Sequence, residues 1–121
     1  MTNWRAVLIG FVVQVLLGIV ALFAPGIGHV VTGLIGGFVA GYIAKGSLGS
    51  GAWHGLLAGA FGGIVVAVFL AIGVTIVGTL GLGPFGPLLG GATLLVAVGV
   101  AFILAIDSAI GGLVGAAVAS D

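Results

Sequence analysis

Only four side chains carry a formal charge, Arg5, Lys45, Asp107 and Asp121, and the stretches 6–44 and 46–106 carry none. That emptiness constrains the fold more than any motif does. A soluble domain of this size still exposes roughly a third of its chain's surface, and it normally draws on about a quarter charged residues to wet it. Here charged residues make up 3% of the chain, hydrophobic ones 62%, and 26 positions are glycine. Soluble globular and disordered classes are excluded on that ground. Nucleic-acid binding is excluded too, because there is no basic patch to meet phosphates. The mean hydropathy of +1.57 points to a bilayer.

Cysteine is absent and both acids are aspartates, so disulfide, thiolate and cysteine-metal chemistry are out. Arg5 followed by an apolar run has the look of a signal peptide. However, the run from Ala6 to Ala24 exceeds the 7–15-residue core of a signal, and Pro25 would directly follow the cut. It reads as a retained span.

Breakers divide the chain into four apolar segments, about 4–24, 27–44, 51–80 and 88–118. Pro25-Gly26 separates the first pair, Lys45-Gly46-Ser47-Leu48-Gly49-Ser50 is a polar connector, and Gly81-Leu82-Gly83-Pro84-Phe85-Gly86-Pro87 forces the last turn. No period-2 alternation supplies the polar lumen face of a barrel. The expectation is an all-α polytopic membrane protein: one domain, 1–121, of four transmembrane helices in an antiparallel glycine-zipper bundle.

With four spans, the N-terminus, the Lys45 connector and the C-terminus share one side. Arg5 and Lys45 both lie there, so the positive-inside rule places both termini in the cytoplasm. Trp4 and Trp53 fall at the same face, where indoles anchor to headgroups. Counting at 1.5 Å per residue from the outer turns puts Arg5, Lys45 and Asp107 at about one depth. Asp107 is therefore expected to pair with one of the two cations. A carboxylate lining a transport path is the alternative.

The most specific pattern is a glycine ladder. Gly33, Gly37 and Gly41 recur every four residues in the second span, Gly51, Gly55, Gly59 and Gly63 in the third, and Gly111 and Gly115 with Ala119 in the fourth. Four-residue spacing stacks such positions on one helix face. Lipid offers no hydrophobic reward for helix association, so close backbone approach must supply it. The short connector suggests that the second and third spans meet through their ladders.

The remaining polar residues have structural readings first. Thr32, Thr75 and Thr93 are expected to bond backbone carbonyls or one another. Gln14, near mid-span, either bonds a backbone carbonyl or meets another copy of itself. His29 and His54 lie near opposite faces and read as capping or interfacial residues. No catalytic, cofactor-binding or metal-binding set can be assembled, and no enzyme is expected.

Three stretches carry a resemblance: Met1-Thr2-Asn3-Trp4-Arg5-Ala6-Val7, Gly36-Gly37-Phe38-Val39-Ala40-Gly41-Tyr42-Ile43-Ala44, and Gly51-Ala52-Trp53-His54-Gly55-Leu56-Leu57-Ala58-Gly59. They resemble a family of small multi-span membrane proteins from halophilic archaea, known only as a domain of unknown function. The resemblance implies an archaeal membrane origin, either the cell membrane or the internal membrane of a virion, and implies no activity. Small multidrug transporters share the four-span size but couple protons through a carboxylate in span one, where this chain has the non-ionising Gln14. Two functions stay open. One is a non-catalytic module that self-associates or joins a larger membrane complex, its partners being the bilayer and other chains. The other is a small oligomeric pore or holin-like permeabilising protein.

The charge argument makes one direct prediction. A cysteine placed in 81–87 is expected to be labelled by an impermeant maleimide in intact cells, and one at the C-terminus to be protected. The reverse pattern would show that two basic residues do not set the orientation.

Overall fold

A computed structural model describes residues 1–24 and 27–119. The Pro25-Gly26 turn and Asp121 lie outside the described residues. The described residues form four helices: α1 (Trp4–Ala21), α2 (Ile27–Ala44), α3 (Leu48–Leu82) and α4 (Phe85–Ala119). All four are long and apolar enough to cross a membrane. They are hydrophobic all round, as helices are when no face meets bulk water.

Helix boundaries follow from local chemistry. Asn3 caps α1 by accepting the Ala6 N–H on its side-chain oxygen at 3.3 Å. The polar connector is shorter than its composition suggests. Lys45 takes a left-handed conformation (φ 47°) just after α2, and Ser47 already caps α3 by accepting the Ser50 N–H at 3.2 Å. Leu48, Gly49 and Ser50 are thus the first turn of α3. The turn between α3 and α4 also shrinks. Only Gly83, at φ 63°, and Pro84 separate the two helices, and Pro87 sits inside the first turn of α4, where its missing N–H goes unneeded.

Close contacts fix the arrangement. Gly10 packs on Ala40, Gln14 on Gly36 and Ala21 on Gly28, so α1 and α2 run antiparallel. Along the α3–α4 hairpin, Gly51 meets Ala116, Gly59 meets Ser108, Gly63 meets Ala101 and Gly86 meets Thr79. α2 and α4 run parallel, with Gly37 against Ser108 and Gly41 against Gly112. α1 and α4 lie on opposite sides of the α2–α3 pair. The apolar centre is small: Val7, Ala40 and Ala58, all fully buried, join α1, α2 and α3.

Two expectations change here. The glycines of α2 and those of α3 do not face each other; both rows face α4, which lies against both helices. A methyl group built on Gly37 or on Gly55 would overlap the same carbonyl, that of Ser108. The depth argument for Asp107 also fails, because the two hairpins do not end at one level. Gln14 lies beside Gly62, and α1 ends seven residues later, level with Phe69 of α3. Residues 70–82 of α3 therefore continue about 20 Å past it. Counting from that farther turn puts Asp107 too near the Lys45 end. Its Cβ in fact lies 3.7 Å from where a Gly33 methyl would stand, and Gly33 is eleven residues, about 17 Å, from Ala44.

These contacts rank the glycines. Leucine at Gly37 or Gly59 adds volume against Ser108, and overpacking of this kind costs about 1–3 kcal/mol or more. Gly73 has nothing within 4 Å of an added carbon. Gly37→Leu and Gly59→Leu are expected to lower the melting temperature or yield in detergent, while Gly73→Leu melts with the parent. Three equal melting curves would contradict the packing described.

Candidate functional site

The polar side chains gather at two levels. The first is mid-bundle, where sequence reading left Gln14 without a partner inside the chain. Its side chain passes between Gly36 of α2 and Gly62 of α3, neither of which has a side chain to block it. Beyond them the Gln14 Nε2 donates to the Ser108 Oγ at 2.8 Å, and the Ser108 hydroxyl donates to the Gly55 carbonyl at 2.7 Å. One chain of hydrogen bonds therefore ties α1 to α4 and α4 to α3. Ser108 is fully buried, and its hydroxyl, which can donate once and accept twice, is used in both senses. Inside the chain, the partner of Gln14 is thus a side-chain hydroxyl and not a backbone carbonyl. Ser108 itself was missed. Its signal was the small residue between Ala105 and Gly112 on the packed face of the fourth span.

The second level is the end that carries both basic residues. His54 is 2% exposed and bonds through both ring nitrogens. Nε2 accepts the Asn3 backbone N–H at 2.8 Å, which fixes the hydrogen on Nδ1, where it points to the Ser50 carbonyl at 2.6 Å. A histidine of α3 thus holds the start of α1. Trp53 adds a parallel tie, its Nε1 donating to the Thr2 Oγ1 at 3.1 Å. Trp4 packs edge-on against Phe61 with ring centroids 6.1 Å apart. Both indoles are about half exposed.

The threonines turn inward on their own helices. Thr32, Thr75 and Thr93 each donate to the carbonyl four residues earlier, those of Gly28, Ala71 and Leu89, and Thr79 does the same to Thr75. Asp107 does not meet either of the cations it was expected to pair with. It is half-buried on α4 beside Gly33, while Arg5 and Lys45 are exposed at the far end of α1 and α2. Among the described residues it forms no ion pair or hydrogen bond. His29 is exposed near the start of α2, and His54 is buried at the other end of the bundle.

Chemically, the mid-bundle chain is a structural clasp in which an amide N–H, a hydroxyl and a carbonyl are joined in sequence. Interhelical hydrogen bonds of this kind average about 0.6 kcal/mol and reach about 1.7. Ser108→Ala and Gln14→Leu are each expected to cost stability in that range. Because the two share one bond, the double variant should cost less than the sum of the singles. Additive losses in a thermal double-mutant cycle would mean that the two side chains act separately.

Residues 4–118 match DUF5518, a family of unknown function, and the chain belongs to that family. No curated protein and no solved structure matches it.

Proposed function

We propose that this member of the family is a non-catalytic integral membrane protein that works by packing: a self-associating or accessory structural subunit of a membrane assembly. On this reading α1 to α4 are transmembrane helices in a glycine-zipper bundle, and both termini face the cytoplasm. The setting is an archaeal, halophile membrane or the internal membrane of a virion, as the resemblance of its first 63 residues suggests.

The observation that carries the reading is the unequal length of the two hairpins. α1 and α2, of 18 residues, measure about 27 Å and match a hydrocarbon core of about 30 Å; α3 and α4, of 35 residues, measure about 52 Å. The surplus is not a wet extension. Its outward side chains include Val77, Leu80 and Leu95, which are 70%, 84% and 78% exposed. A hairpin this long and this apolar must tilt steeply or be covered by other chains, and mismatch of this kind drives helix association. Within one chain the helices close on one another through backbone contacts, so any pore would have to form between copies.

The expected native mass in mild detergent exceeds that of one chain with its micelle, and liposomes carrying the protein should retain a small trapped dye. A monomer that captures no partner would end the structural-subunit reading. Dye release at low protein density would favour the pore instead.

A further inference from the structure

We propose that His54 is a proton-sensitive latch on the start of α1, and that a proton on its ring frees residues 1–3. The identity of its partner decides this. The His54 Nε2 accepts from the Asn3 backbone N–H at 2.8 Å, and a backbone N–H can only donate. The bond therefore exists only while Nε2 keeps its lone pair, in the neutral imidazole. The Nδ1–H can stay on the Ser50 carbonyl, at 2.6 Å, in either charge state. An added proton sets N–H against N–H at Asn3, the residue that caps α1. Histidine is the side chain whose charge changes between about pH 5 and 8.

The surroundings give an imidazolium no carboxylate. The charged groups at this end are the Met1 amino group, Arg5 of α1 and Lys45 after α2, all cations and all exposed. Tyr42 of α2 is exposed as well, and α3 carries no other titratable side chain. On α4, Asp107 faces Gly33 of α2, and Asp121 lies outside the described residues. His54 is 2% exposed, so a charge there is cut off from water unless something moves. Lifting residues 1–3 provides the relief. Asn3 is already exposed, so its freed N–H passes to water or headgroups, and the ring opens to the same layer. Both tryptophans of the chain report on this segment, Trp53 through its bond to Thr2 and Trp4 through its packing on Phe61. The latch stands independently of self-association.

The test uses the full chain in phosphatidylcholine nanodiscs, read by amide exchange at Asn3 and by tryptophan emission. With one proton taken up on opening, Asn3 exchange, corrected for its intrinsic rate, rises about tenfold from about pH 6 to about pH 5. Emission should shift reversibly over the same range. His29→Gln is expected to follow the parent. His54→Gln, whose amide oxygen can accept but takes no proton, should lose both responses. Melting curves at neutral pH identify a His54→Gln that misfolds, and Asn3→Pro then decides. That variant deletes the N–H, so its emission should sit at the parent's acid position at every pH. Flat Asn3 exchange in the parent, an equal rise in folded His54→Gln, a lost response in His29→Gln, or Asn3→Pro emission that still follows pH would each overturn the latch.

Discussion

Everything in this bundle depends on how closely α4 can approach two other backbones at once. Ser108 marks the place. Its carbonyl occupies the space that side chains at Gly37 and Gly55 would need, and its Cβ lies 2.6 Å from where a methyl on Gly59 would be. Apolar side chains gain nothing by leaving lipid for one another, so contact area and polar bonds must hold the helices together. Removing side chains on two helices at one level supplies both. It lets the backbones touch, and it brings the Ser108 hydroxyl within 2.7 Å of the Gly55 carbonyl and 2.8 Å of the Gln14 amide. The glycines and the polar clasp are one device seen from two sides.

That device also explains why the core is so small. Only alanines and Val7 are fully buried among the apolar side chains that join α1, α2 and α3, while most leucines, phenylalanines and isoleucines point outward. A water-soluble bundle would be built the other way, with its large side chains inside. Helices long and apolar enough to cross a membrane suit the opposite arrangement, because in hydrocarbon bulk belongs on the surface and smallness between helices. The mid-helix threonines fit the same logic: each spends its hydroxyl on the carbonyl one turn back, so none is presented unsatisfied to lipid.

Much of this was legible in the sequence, for identifiable reasons. Charge-free runs mark apolar helices without any knowledge of packing, and Pro-Gly and Gly-Pro clusters mark their ends to within a few residues. Glycines every four residues mark the close face of a helix, because that periodicity belongs to the helix itself. Which helix a row faces is different information. Gly37 and Gly59 carry no sign that both look at Ser108, and a short connector between α2 and α3 suggested instead that the two rows meet. The depth of Asp107 was hidden for the same reason. It depends on the offset between two hairpins, set by contacts such as Gln14 with Gly36 and Gly62, and no count along one helix can supply that offset.

The two polar groups placed mid-bundle therefore show what the offset accomplishes. Gln14 and Asp107 both lie near the middle of the short hairpin, and each would be costly alone in lipid. Gln14 is on the inner side of α1, where two glycines open a passage to a hydroxyl, so the fold satisfies it. Asp107 is one residue before that hydroxyl on α4, and one residue along a helix is a turn of about 100°. That rotation carries it out of the clasp and onto the α2–α4 seam, where Gly33 leaves room but offers no donor. Sliding the long hairpin by one helical turn would keep most apolar contacts but would part Ser108 from Gln14 and Gly55 together. The clasp thus fixes the register, and the register in turn fixes Asp107 at a depth where its own chain has no cation to give it.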